Sequence, residues 1–361
     1  LHDALPIWLW GDAPLVLEYE DISEKGRTPW REIAGHIVAD LLLAAEYLPP
    51  ADQLKDPEGK PLTARQIPGR GTAYAILAGV YAWIAGYGQE PEYYALGIEA
   101  AGKVIGDPNY RLVASPEEVC TEVLPGNSEE GIFEVCYDDS RGEYKDFGSY
   151  IGGTVEKWPV LKGTTPASRR KFFIRNETVE RLYTPEDLRL QAYFADFFRM
   201  KEEPVSVTQG AAYVRMSREV EYYSGGIYDG TPRTLLANDI LIRLPDILLL
   251  RAEMKAATGD REGAVADLDV VRRRAGVAGY SEAEGDLRRA IQLERDRELL
   301  FQTGVRYFDY MRNHTYNLLK GGFRDLTETD VAAGALFLPV SLDAMNNNPK
   351  VKQTAYWVGK F

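Results

Sequence analysis

Apolar residues recur at helical spacing in two stretches of the chain and lose that period between them. After Thr28-Pro29, the residues Ile33, Ile37, Leu41 and Ala45 fall on one stripe, predicting a helix to Leu48 that Pro49-Pro50 ends. Pro57, Gly59, Pro61, Pro68 and Gly69 mark 51–70 as a loop. A helix over 72–86 follows, with Ala75, Ala78 and Ala82 on one face, small enough to admit a close neighbour. A second runs from Pro91 to Ile105, with Tyr94, Ile98, Ala101 and Ile105 in line, and Gly106-Asp107-Pro108 stops it. Helical spacing returns at 243–258 and 262–275, joined tightly through Gly259-Asp260, and again at about 284–303. Residues 8–27 read as a helix end that breaks at Gly11-Asp12 into a loop. Residues 304–361 are mixed and close on an extended, Pro- and Asn-rich segment.

Between these stretches, at 107–240, the helical period fades. Short β-like runs appear at Ile132–Tyr137, Lys171–Ile174 and Tyr213–Met216, with Gly, aromatic and charged residues interleaved. So long an irregular region inside a folded chain marks a binding region. The expected fold is mainly α: one domain over 8–361, with helical pairs at about 28–106 and 243–303, an irregular lobe at about 107–240 and a C-terminal segment 304–361. The pair around Gly259-Asp260 fits a tetratricopeptide-like repeat, with Leu248, Ala252, Ala264 and Leu268 at the small and bulky apolar positions. Arg251 and Lys255 stand where that pattern prefers Leu and Tyr. The 72–105 pair fits more loosely.

Composition narrows the function. The 361 residues carry 42 Lys+Arg against 55 Asp+Glu, a net charge of −13, and no dense basic cluster, which excludes nucleic acid as an expected partner. With only three His, in no ligand spacing, and Cys120 and Cys136 separated by fifteen residues, no metal or cofactor is expected. Both cysteines are expected as buried small apolar residues, or as a disulfide if the protein is exported. The sequence has no apolar run long enough to span a membrane. Residues 1–7 back-translate to CTACACGACGCTCTTCCGATC, the end of a common short-read sequencing adapter. They are therefore expected to be an adapter-derived scar, with the natural N-terminus lying upstream of Trp8 and missing.

Two sets of residues could carry chemistry. Glu294 and Glu298 lie one helical turn apart and could in principle form a glycosidase pair. With Arg295, Arg297 and Arg306 nearby, and Arg243 within packing reach, the better reading is an ion-pair network that holds helices together. Arg306 and Asp309 are likewise expected to satisfy buried polar groups while Phe308 packs. Sugar rings, by contrast, need flat aromatic faces for their C–H patches and planar polar groups for their hydroxyls. Residues 137–158 supply both, and Asp139, Arg141, Tyr144, Phe147, Tyr150 and Trp158 are the candidate ligand-binding residues. Tyr222, Tyr223 and Tyr228 around Gly225-Gly226 form a second, weaker candidate. An Asp138, Asp139 and Glu143 cation site matches no loop spacing and reads better as a solvated turn.

The C-terminal third resembles the SusD/RagB-like family. Arg243-Leu244-Pro245-Asp246 with Ala252-Glu253, Val271-Arg272-Arg273-Arg274-Ala275-Gly276, Ile291 to Leu299 and Arg306 to Arg312 are similar to successive motifs of that family. So are Leu338-Pro339-Val340 and Asn348-Pro349 with Gln353. Upstream, Trp10 to Val16 and Tyr183 to Leu190 also resemble it, the latter with Leu188 where the family usually has Pro. The motifs stand in family order over 8–361. The resemblance implies a tetratricopeptide-like scaffold with an irregular ligand-binding lobe, and a non-catalytic lipoprotein of the outer membrane of Bacteroidetes-type bacteria. The anchor cysteine would lie in the missing N-terminal sequence. It implies capture of glycans for import through a SusC-like TonB-dependent transporter. Peptide or other nutrient capture is the alternative within the family, and glycoside hydrolysis a more distant one.

Overall fold

The computed structural model describes residues 4–18, 20–62, 65–137, 150–155, 157–158, 160–165, 172–302, 305–319 and 321–360. Helices α1 (Ala4–Leu9), α2 (Trp30–Tyr47), α3 (Arg70–Gly86) and α4 (Tyr93–Ile105) form the first half of the scaffold. Ile7, inside the segment expected as a scar, is fully buried in the main core. The break after α1 falls at Gly11, whose φ of +69° favours glycine. Pro49-Pro50 stop α2 as expected, and Leu48 is already extended.

Helix α3 is buried nearly all round and packs on both α2 and α4. Close approach of these helices to their neighbours needs glycine, for example at Gly97 and Gly86. A Cβ on Gly97 of α4 would collide with the Met254 sulfur, and one on Gly86 would sit 2.7 Å from Arg312 Cγ.

The second half contains α7 (Leu244–Ala257), α8 (Arg261–Arg274), α9 (Leu287–Glu298) and α10 (Val305–Arg312). Helix α7 lies against α4, α8 and α9, so the two halves form one continuous stack. Gly259, at φ +86°, turns the chain, and the Asp260 carboxylate caps α8 by accepting the Gly263 N–H at 2.9 Å. Leu248, Ala252, Ala264 and Leu268 are all buried. Arg251 and Lys255 answer their polar departure from the repeat pattern by sharing Asp267 of α8, at 2.6 and 2.9 Å. The helix expected at 284–303 is shorter. Its start is delayed by a 3-10 turn at Glu282–Glu284 and by the Asp286 cap, and it ends at Glu298. The C-terminal part is less extended than expected, with a Ser341-capped helix at Leu342–Asn347.

Among its described residues, the 107–240 region holds short helices, among them α5 (Asn176–Leu182) and α6 (Leu188–Tyr193), and short strands, the last of which runs on to Arg243. Of the three β-like runs, only the first is a strand among the described residues. β1 (Gly131–Val135) pairs antiparallel with β4 (Asp239–Arg243), which leads directly into α7. At the other two, Arg175 and Val214 make isolated bridges to Ala211 and Phe194. Ile174, Val214 and Met216 from these runs serve a separate core with Val119, Tyr193 and Phe194, while Phe172 and Phe173 are exposed. β2 (Val220–Tyr222) and β3 (Pro232–Leu235), not read as strands in the sequence, form a hairpin. Cys120 is buried and Cys136 exposed, with no disulfide between them, which corrects the expectation that both are buried.

Candidate functional site

The β2–β3 hairpin rises from a third, small core of Val155, Leu161, Leu235 and Ala237. That core joins the two aromatic segments the sequence keeps about seventy residues apart. A Cβ on Gly163 would strike the Gly230 carbonyl, so the turn after Trp158 lies against the hairpin's end. Trp158 is half-buried in this turn, which closes through Leu161 N–H to Lys157 O (2.6 Å) and Thr164 Oγ1 to Leu161 O (2.7 Å).

The hairpin tip is built rather than loose. Tyr223 N–H donates to Thr231 O at 3.0 Å and Gly230 N–H returns to Tyr223 O at 2.9 Å. Asp229 accepts Gly225 N–H at 2.6 Å, and Thr231 Oγ1 donates to Tyr228 O at 2.6 Å. Gly225, Gly226 and Gly230 all have positive φ, which only glycine adopts without strain. The ladder slips beside Tyr222 because its partner there is Pro232, which has no N–H to give. The ordered tip presents apolar surface to solvent: Ile227 is 91% exposed, Tyr228 60% and Tyr223 42%. The two tyrosine rings lie 5.7 Å apart and tilted by 40°. Contiguous apolar side chains on a hydrogen-bonded tip, with no described residue folded over them, form a contact surface.

Asp139, Arg141, Tyr144 and Phe147 lie outside the described residues, as do Asp138 and Glu143. Tyr150 opens the short helix Tyr150–Thr154. Tyr137, at the near end of the same segment, donates its hydroxyl to Asp239 at 2.7 Å. That bond, with burial, pushes its phenol up to about 12. The tip tyrosines were legible in the sequence but ranked second, and Ile227 was missed. The alternating Val-Glu-Tyr and Arg-Thr-Leu runs around a glycine-rich turn were the available hairpin signal.

Glu294 and Glu298 face no solvent. Arg189 binds both, at 2.7 and 3.3 Å, and is itself clasped by Asp187. Arg243 joins Glu298 (2.6 Å) to Glu130 (2.7 Å), Arg274 pairs with the same two carboxylates, and Arg272 reaches Glu294 at 3.2 Å. Burial pushes the Glu298 carboxyl up, but Arg274, Arg243 and Arg189 outweigh it and hold it at about 2. A second buried cluster joins Arg295 to Asp246 and Asp309, and Arg312 to Asp309 and Glu253. These groups hold the helices together, as the sequence suggested, and the first cluster also ties in the lobe through Asp187, Arg189 and Glu130. Among the described residues no group of His, Cys, Asp and Glu is arranged to hold a metal ion, and no helix is long and apolar enough to cross a membrane.

The structure is that of a mainly α stack of helical pairs with an inserted lobe that displays an aromatic tip. The chain belongs to the SusD family, whose profile matches residues 129–357. A SusD homolog from Bacteroides thetaiotaomicron superimposes with a TM-score of 0.78 at 21% identity, covering 98% of this chain and 73% of that one. B. fragilis NanU gives 0.73 at 18% identity, with 98% and 74% covered. Surface glycan-binding protein A from Bacteroides uniformis gives 0.70 at 18% identity, with 98% and 75% covered. No curated protein sequence matches the chain.

Proposed function

We propose that this protein captures oligo- or polysaccharides at the cell surface without cleaving them, and hands them to a SusC-like TonB-dependent transporter for import. In this reading it is an outer-membrane lipoprotein held by an N-terminal lipid anchor. The observation that carries the reading is the ordered, solvent-facing tip of Tyr223, Ile227 and Tyr228 on the lobe that also holds Trp158. Such a tip offers stacking faces for pyranose C–H patches. Membership of the SusD family and likeness to a surface glycan-binding protein support it. Asp139, Arg141, Tyr144, Phe147, Tyr150 and Trp158 are proposed to complete the site with hydrogen bonds and further ring faces. The buried, arginine-bound state of Glu294 and Glu298 argues against their acting as a hydrolytic pair.

Native affinity electrophoresis through gels containing soluble polysaccharides tests this. Retardation by one polysaccharide, weakened in Trp158→Ala and in Tyr228→Ala, is the expected result. Unretarded migration across neutral and acidic polysaccharides alike would reject glycan capture.

A further inference from the structure

A second candidate surface, a cleft, lies where the lobe's α5 meets the helical body, away from the hairpin's base and tip. Its volume is about 570 Å³, within the roughly 300–1,000 Å³ range of small-molecule sites. Besides Arg295, four guanidinium groups from four elements line it: Arg181 at the end of α5, Arg289 on α9, Arg306 on α10 and Arg324 in the 3-10 turn Gly321–Asp325. Asp296 is the sole carboxylate among its described lining residues. That carboxylate is already taken, by Arg306 Nε at 2.9 Å and the Tyr310 hydroxyl at 2.8 Å. Arg295 also lines the cleft but is spent on Asp246 and Asp309.

Arg181 and Arg324 are exposed, with no ion-pair or hydrogen-bond partner among the described residues. The excess of positive charge is notable for its setting, a chain of net charge −13. Gathering like charges around one concavity costs free energy in the empty state that an anion would offset.

The walls say more than charge. Leu182, Leu293 and Phe301 give apolar faces, suited to the C–H side of a ring. Gln302, also in the lining, is nine-tenths buried. Its Oε1 accepts from Arg243 at 2.6 Å, and its Nε2 has no acceptor. An unmet buried donor is uncommon and marks a place where a ligand or water oxygen belongs. Guanidinium forks match planar carboxylates bidentately. We infer that this cleft binds an acidic sugar through its carboxylate, with Arg181 and Arg324 as the unengaged forks. The inference goes beyond the lobe reading and stands independently of it.

Isothermal titration at low salt with digalacturonate, its neutral counterpart galactobiose, and sodium sulfate tests it on the whole chain. Digalacturonate is expected to bind and galactobiose to bind at least tenfold more weakly. The double variant R181Q/R324Q should weaken digalacturonate at least tenfold, with circular dichroism unchanged because both side chains are exposed. Tyr228→Ala should leave digalacturonate affinity as it is. Equal affinity of wild type and double variant would overturn the inference, as would equal affinity for the neutral sugar. Sulfate binding as tightly as digalacturonate would assign the cleft to free inorganic anions instead. Loss of digalacturonate binding in Tyr228→Ala alone would move the acidic sugar to the hairpin and overturn the assignment, while leaving glycan capture standing.

Discussion

Replacing Glu298 by Gln is the sharpest test of how the lobe is fastened to the helices. The carboxylate is fully buried and meets Arg189, Arg243 and Arg274. Its folded value of about 2 lies below the ordinary 4.5, a gap of about 2.5 pH units. At 1.36 kcal/mol per pH unit, that gap corresponds to about 3 kcal/mol of folding stability. Because the folded value is depressed, this contribution is complete above pH 4.5 and is lost as pH falls toward 2. Glutamine keeps the shape but removes the charge. It leaves Arg189, Arg243, Arg272 and Arg274 with Asp187, Glu130, Glu294 and the more exposed Glu284 as their remaining carboxylates. Breaking such a buried network costs about 3–5 kcal/mol at neutral pH. Urea unfolding followed by tryptophan fluorescence, repeated from pH 7 to pH 2, measures both quantities. The wild type and Glu298→Gln should differ by about 3 kcal/mol or more at pH 7. The difference should shrink on acidification, as the wild-type carboxylate takes up its proton. A difference under about 1 kcal/mol at pH 7, or one that stays constant down to pH 2, would refute the clamp.

Other expectations follow from the same geometry. Arg312→Met leaves Glu253 and Asp309 buried with one cation fewer, and should cost about 3–5 kcal/mol by the same denaturant assay. Gly97→Ala drives a methyl into Met254 where α4 meets α7, and should destabilise by about 1–3 kcal/mol, read as a lowered urea midpoint. Ile227→Ser, at a side chain touching almost nothing, should keep stability within about 0.5 kcal/mol while reducing polysaccharide retardation in native gels. A maleimide reagent on the native protein should label the exposed Cys136. Cys120 should stay unlabelled until unfolding, since burial pushes its thiol up to about 12. Mass spectrometry of the labelled peptides distinguishes the two.

The helices were legible because their period, their stops and their caps agree. Ile33 and Ile37 mark the buried side of α2, Pro49-Pro50 ends it, and Asp260 opens α8 where the turn was read. The third C-terminal helix was overextended because Arg297 to Phe301 keeps helical composition, whereas Leu299 leaves helical geometry and Phe301 takes a φ of +56°. Propensity alone does not report that departure. The lobe was harder. Val214 and Met216 are buried in a small core and Val214 makes only an isolated bridge, so their β-like composition records packing rather than strand pairing. The hairpin went unread because Pro232 and the three glycines read as loop, although they are what shapes its turn and its slipped ladder.

The motifs that carry the family resemblance explain why the resemblance is strong on fold and silent on ligand. Asp187 and Arg189, Arg243, Arg272 and Arg274, and Glu294 and Glu298 come from four separate sequence motifs, yet they meet in one buried ion network. Asp246, Glu253, Arg295, Asp309 and Arg312 meet in the next. A substitution at any of them strands a charge in the interior, so each residue type is dictated by its partners several motifs away. The tip of Tyr223, Ile227 and Tyr228 faces solvent and answers to no such partner. Its side chains can change without cost to the fold, which leaves them open to be set by whatever the lobe must bind. The arginines of the second cleft divide along the same line. Arg306 is tied to Asp296 and Tyr310, whereas Arg181 and Arg324 contribute nothing visible to stability. Ligand chemistry is therefore to be sought in exposed, unengaged side chains held by a rigid frame, and both candidate surfaces of this protein have that form.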